Sequence, residues 1–185
     1  LVITKSTDNA VAWRLWSNKF TDLTDYYLGW GNLGEDDFQS AYWGEMNSIT
    51  LGMGPSTYDN NVGKMIAYCF TSVPGVTRVA SYEGATDVFV DCGFQPKAVM
   101  IKNIDRDGEE WVMYDSDRDP FNPAGSTLYL GHSHAEFAGY GGLYPRHIDF
   151  MSNGFKVNTG NPIAQSGTHI FVAWAEQPPQ FARSK

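Results

Sequence analysis

Apolar and polar residues alternate along short stretches of this chain, with turn formers between them at close intervals. Val88, Val90 and Cys92 fall on one side of an extended segment whose other side carries Phe89 and Asp91. A period of two is the signature of a half-buried strand. The same alternation sets Trp13 and Leu15 against Arg14, Ile49, Leu51 and Met53 against Thr50 and Gly52, and Ile170 and Val172 against Phe171 and Ala173. Gly54-Pro55-Ser56, Asp59-Asn60-Asn61, Pro74-Gly75, Asp119-Pro120, Asn122-Pro123 and Asn161-Pro162 punctuate these stretches. Asn153-Gly154, between 148–151 and 155–157, supplies two residues that tolerate positive φ and predicts a tight hairpin. Only 35–41 has room for a short helix; no stretch keeps a helical period beyond about two turns.

The pattern also repeats at long range. Val2-Ile3-Thr4-Lys5 followed by Trp13-Arg14-Leu15-Trp16 resembles Met100-Ile101-Lys102-Asn103 followed by Trp111-Val112-Met113-Tyr114. Tyr27-Leu28-Gly29 returns as Tyr129-Leu130-Gly131, and Ile49 to Gly54 as Phe155 to Gly160. Gly63 to Tyr68 returns as Gly167 to Trp174. Order is kept while the offset drifts, as two copies with small loop insertions would show. The spacing, near 100 residues, exceeds the roughly 20–50 residues of a solenoid unit. The expectation is an all-β, antiparallel β-sandwich of jelly-roll or lectin-like type, built from two related halves by internal duplication. The halves are 1–75, which lacks its start, and 76–185, packed as one compact unit.

Composition narrows the function. Among 185 residues, 42% are hydrophobic and 15% aromatic, and only 18% are charged, which excludes intrinsic disorder. The net charge of −8 and the scattering of the basic residues argue against nucleic acid as a partner. No apolar run approaches the roughly 20 residues that cross a bilayer, so no membrane insertion is expected and the chain reads as soluble. Its first residue is Leu1 rather than Met, which fits a processed or partial piece of a longer polypeptide.

Candidate chemistry is sparse. Cys69 and Cys92 stand in apolar strand contexts, where two buried thiols are the first reading and a disulfide the second. Asp105 to Glu110 and Asp115 to Asp119 crowd carboxylates into two turns, but their spacing misses the EF-hand pattern. They read as a hairpin turn at Asp107-Gly108 and a loop capped by solvated side chains. His132 and His134 lack further ligands at zinc spacing, and His147 and His169 stand elsewhere; solvated loop histidines are the reading, and no metal or other cofactor is expected. No nucleophile-elbow, zincin or P-loop motif occurs, so no catalytic residue is assigned. The binding candidates are aromatic. Tyr140 and Tyr144 lie in a Gly-rich stretch, and Tyr27 and Trp30 occupy the comparable region of the first copy. Exposed rings on such loops can stack on sugars or form an interface.

Cys92-Gly93-Phe94-Gln95-Pro96-Lys97 running into Ala98 to Lys102, then Trp111 to Asp115, Asp149 to Lys156, and Gly167 to Glu176 with Pro178 carry a family resemblance. Over these motifs the chain resembles a domain of unknown function that recurs in tail-fibre and other virion structural proteins of bacteriophages, notably marine and cyanobacterial ones. The resemblance implies a non-enzymatic virion component located on the particle. Its role would be that of a tail-fibre, spike or capsid-surface domain in host attachment or particle decoration. Its partners would be other virion proteins, further copies of itself (trimers are common in fibres) and host surface glycans. A free carbohydrate-binding module, or a polysaccharide-degrading fibre domain using a pair among Asp105, Asp107, Asp115, Asp117 and Asp119, is the alternative.

Overall fold

The computed structural model describes residues 1–8, 13–18, 28–30, 43–46, 51–53, 64–106, 110–130, 136–138, 147–158 and 162–176. Over these residues the short alternating stretches form strands, every pairing is antiparallel, and a 3₁₀ turn at Pro162–Ala164 is the one helical element. The short helix considered at 35–41 lies outside the described residues. The chain divides into two units, Leu1–Phe70 and Thr71–Lys185.

The first unit contains β1 (Val2–Ser6), β2 (Trp13–Trp16), β3 (Leu28–Trp30), β4 (Trp43–Met46), β5 (Leu51–Met53) and β6 (Met65–Cys69). Its main sheet runs in the order β3-β2-β1-β6, and β4 pairs with β5. Ile3 and Leu15, directly opposed across β1 and β2, are both buried. β6 is an edge strand, and its residues 66–69 are exposed. Cys69 therefore departs from the expectation of two buried thiols: it faces outward at a sheet edge.

The second unit contains β7 (Thr77–Glu83), β8 (Val88–Asp91), β9 (Pro96–Asn103), β10 (Val112–Asp115), β11 (Ser126–Tyr129), β12 (Phe137–Ala138), β13 (Ile148–Met151), β14 (Gly154–Val157) and β15 (Thr168–Ala175). A six-stranded sheet runs β12-β11-β10-β9-β15-β7, and a three-stranded sheet runs β13-β14-β8. Both contribute to one apolar cluster. Val99, Ile101, Val112, Tyr114 and Phe171 come from the larger sheet, and Val90, Ile148, Phe155 and Val157 from the smaller. Phe155 meets Phe171 edge to face at 5.3 Å between ring centroids, and Tyr82 at 6.1 Å. Each fully buried side chain of this size contributes roughly 1.5–3 kcal/mol of transfer free energy, so these rings are a principal tie between the sheets.

Strand position decides how far alternation separates inside from outside. In β8, Val90 is buried while Phe89 and Asp91 are exposed, and Cys92 just beyond it is buried, as the pattern requires. In β15, Ile170, Phe171, Val172 and Ala173 are all buried. This strand lies between β9 and β7 in the interior of its sheet, and a strand covered on both faces reads as a continuous apolar run.

The hairpin between β13 and β14 forms where it was predicted, but Gly154 plays a different part. Met151 pairs with Gly154, leaving Ser152 and Asn153 as the turn, and neither Asn153 nor Gly154 has positive φ. The Asn153 carbonyl accepts the N–H groups of Cys92 and Gly93. A Cβ at Gly154 would lie well inside van der Waals contact with the Val90 carbonyl of β8. The glycine permits close approach of two backbones.

The two sheets share a pairing order: β3-β2-β1-β6 in the first unit and β11-β10-β9-β15 in the second. The long-range sequence match aligns β1 with β9, β2 with β10 and β6 with β15, whereas Leu130, its counterpart of Leu28 in β3, follows the end of β11. The registers differ by one residue. Ile3 opposes Leu15, whereas Ile101 opposes Val112 rather than Met113, the counterpart of Leu15.

Candidate functional site

The segment leaving β10 is Asp115-Ser116-Asp117-Arg118-Asp119-Pro120-Phe121-Asn122-Pro123, and it displays Phe121 at 80% relative exposure. Such a display would ordinarily accompany a mobile loop, yet polar side chains fasten this one at both ends. Asp115 Oδ1 accepts the backbone N–H of Asp117 at 3.1 Å and of Arg118 at 2.9 Å. Asp115 Oδ2 accepts Arg118 Nε at 2.5 Å. The Arg118 guanidinium also donates to the carbonyls of Ser126 and Met113 and to Glu136 Oε1 at 2.6 Å. On the far side, Asp119 Oδ2 accepts the N–H groups of Gly125 at 2.7 Å and Ser126 at 2.5 Å.

Burial alone would push the Asp115 carboxyl up, but the Arg118 backbone and guanidinium hydrogen bonds hold it below its ordinary value. Asp119 is likewise opposed by burial and lowered by the backbone N–H groups of Ser126 and Gly125. The expectation of solvated carboxylates capping this loop is corrected here. Asp115 and Asp119 are structural acceptors, because unpaired backbone N–H groups in a partly buried turn need partners. Asp117 is solvated, and its Oδ1 meets Lys97 Nζ at 2.5 Å.

The loop is joined to both sheets. Asn122 Nδ2 donates to the Phe150 carbonyl at 2.8 Å, and its Oδ1 accepts the Phe150 N–H at 2.9 Å. Ala124 forms a bridge with Ile148. A side-chain amide and one residue of main chain thus occupy the otherwise open edge of β13, and covering an edge this way prevents unwanted pairing. Three residues later the chain is in β11 of the larger sheet.

Beneath the loop is a cleft of about 350 Å³. Pro120 and Asn122, the neighbours of Phe121, form part of its wall with Phe150, and Gln95, Lys97, Ser116, Asp117, Asp119 and Glu176 supply polar groups. The Ser116 hydroxyl is buried there without a hydrogen-bond partner. Lys97, with Asp117 first among the groups that raise its pKa, stays positively charged.

Two histidines read as solvated are buried. His147 Nδ1 lies 2.8 Å from the Tyr114 hydroxyl and 3.2 Å from Thr127 Oγ1. Burial lowers the His147 pKa, and a neutral imidazole with its proton on Nε2 accepts a hydrogen bond from the phenol at Nδ1. Burial also raises the Tyr114 pKa, so the phenol remains protonated. His169 stacks on Tyr82 with ring centroids 4.8 Å apart. Both are core packing groups in strands or beside them, and no set of three His, Cys, Asp or Glu fit for a metal occurs among the described residues. Cys92 is a free thiol whose pKa burial pushes up to about 12, so it is held in its inert form.

Tyr140, Tyr144 and Tyr27, with His132 and His134, lie outside the described residues. Trp30 closes β3, its backbone opposite Trp13. Phe121 was missed because Asp119-Pro120 and Asn122-Pro123 register only as punctuation. The available signal was an aromatic residue enclosed by two X-Pro steps directly after an acidic turn.

A family model described as a domain of unknown function, DUF7483, matches residues 1–178. No curated protein and no solved structure has significant similarity to the chain.

Proposed function

The chain belongs to the DUF7483 family, a domain of unknown function, and from its residues we propose that it is a non-catalytic structural module of a bacteriophage particle. It acts as a tail-fibre, spike or capsid-surface domain in attachment or decoration. The observation that carries this reading is the fastened display of Phe121. A loop that spends two carboxylates, a guanidinium and an amide on main-chain groups of its own and of the adjoining strands while leaving a phenyl ring 80% exposed is organised for presentation. Preorganised surfaces bind at low entropic cost. The sequence resemblance to phage fibre domains supplies the setting, and turn-dense antiparallel sheets with aromatic cores suit a module that must persist outside a cell.

The finer architecture of this proposal is a β-sandwich, supported by the apolar cluster common to the two sheets of the second unit. Internal duplication is supported by the shared pairing order. Oligomerisation through copies of the same chain, with other virion proteins as neighbours, follows the habit of fibre modules.

Tryptic peptides of the chain are expected in mass spectra of density-purified particles, in stoichiometric ratio to other virion proteins, with antibody-gold on the particle surface. Recovery solely from the particle-free lysate overturns the assignment. A polysaccharide-degrading fibre domain is the competing reading, and release of reducing sugar from host polysaccharide would establish it in place of the non-catalytic one.

A further inference from the structure

We propose that β6 is an interface through which two copies of this chain pair edge to edge, antiparallel, about a two-fold axis at Ala67. The ladder to β1 shows which backbone groups of β6 are open. Phe70 and Leu1 exchange both hydrogen bonds, and the Lys64 carbonyl accepts the N–H of Thr7. In an antiparallel ladder every second residue bonds a given neighbour. Lys64, Ile66, Tyr68 and Phe70 therefore turn their backbone groups toward β1, and Met65, Ala67 and Cys69 turn theirs to the outer edge. Among the described residues no strand occupies that edge. In the second unit β15, which the sequence match aligns with β6, carries β7 there, antiparallel.

A second copy fits this edge because the edge is complementary to itself. Pairing about Ala67 sets Ala67 against the partner's Ala67, Met65 against the partner's Cys69, and Cys69 against the partner's Met65. Every outward N–H and C=O group from Met65 to Cys69 then gains a partner. Between these pairs Ile66 meets the partner's Tyr68, and Tyr68 the partner's Ile66. Those are the non-hydrogen-bonded sites, where side chains approach most closely, and an aromatic opposite a β-branched residue is a favourable cross-strand pair. Ile66 and Tyr68 are 45% and 46% exposed. They stand on the face of the sheet that carries buried Ile3 and Leu15, so the contact continues an apolar face that β6 leaves half covered.

Charge complementarity favours the same occupant. The chain carries a net charge of −8, yet 65–70 contains no Asp, Glu, Lys or Arg. Lys64, just before the strand, falls opposite the partner's Phe70, so no like charges meet. A strongly charged partner finds nothing on β6 to recognise. Edge strands are commonly blunted by a Lys, a Pro or a bulge. β6 has neither residue, and its ladder to β1 runs without a shift of register. The contact is isologous, and it closes at two copies.

The inference does not rest on the virion assignment: it concerns the purified chain, and the mass spectra of particles can come out either way without changing it. Sedimentation of the full chain across a concentration series is expected to show a monomer–dimer equilibrium. Ala67→Lys and Ala67→Glu each bring like charges together at the axis and weaken dimerisation by about tenfold or more, while an equimolar mixture of the two restores it as a heterodimer. Ala67 is exposed, so both variants keep the wild-type circular dichroism. Ala67→Cys, in a Cys69→Ser background, forms an intermolecular disulfide on mild oxidation, because Cα atoms of a hydrogen-bonded pair lie about 5.5 Å apart. Native Cys69, opposed by Met65, does not cross-link to its own counterpart. A chain that stays monomeric at every concentration, as it would if β6 takes up a strand of another protein instead, overturns the proposal. So does a mixture that restores nothing, or cross-linking through Cys69 in place of position 67.

Discussion

At Gly154 a residue that looks like a turn former is instead required by its neighbour. A Cβ there would collide with the Val90 carbonyl on β8, and overpacking of this kind costs typically about 1–3 kcal/mol. Gly154→Ala is expected to lower the urea unfolding midpoint accordingly, whereas Asn153→Ala, in the turn proper, has a smaller effect. His147 gives a second prediction at this scale. Its pKa is lowered by burial, so the unfolded chain takes a proton near pH ~6.5 while the folded protein resists it. Stability contributed by the neutral imidazole is complete above that pH and falls as the pH drops through it. Asp115 and Asp119, both lowered, add stability that is complete above pH ~3.9 and is lost as the pH falls further toward their folded values. Melting temperatures should therefore decline with acid in two stages, and His147→Gln should remove the first stage while leaving the second.

The element that matters most is the loop from Asp115 to Ser126. The bonds of Asp119 and Asn122 run from side chain to backbone, so they can be removed without changing an apolar core side chain. Asp119→Ala frees two partly buried N–H groups and is expected to cost about 1–3 kcal/mol. Asn122→Ala uncovers Phe150 on β13 at a similar cost. Asp117→Asn, at a solvated ion pair with side-chain exposures of 34% and 77%, should stay within about 0.5 kcal/mol. Urea titrations of the three variants check this ranking. An equal loss in all three would mean that the loop is held by something other than these bonds.

On the scale of the whole molecule, strands and hairpins were legible because alternation and turn residues are local signals. The order of strands within the sheets was not legible, because pairing partners are set by long-range contacts and not by local alternation. Burial on both faces of β15 and exposure of β6 were not legible, because interior and edge positions depend on which strands lie alongside. The candidate site was hidden for a related reason. The value of Phe121 comes from Asp119, Asn122 and Arg118 binding main chain several residues away or on another strand, contacts that no spacing rule encodes. Tyr140, Tyr144, Tyr27 and Trp30 stand in glycine- and aromatic-rich stretches, a pattern that does not encode how a ring is held.

Hydrogen exchange tests directly whether Phe121 is displayed by a loop as fixed as the sheets that carry it. The amides of Gly125, Ser126 and Phe150, bonded to Asp119 and Asn122, should exchange as slowly as those of β9 and β15 in the wild-type chain. Those of Gly125 and Ser126 should become fast in Asp119→Ala. Exchange of all three amides at the rate of an open loop in the wild-type protein would contradict the account.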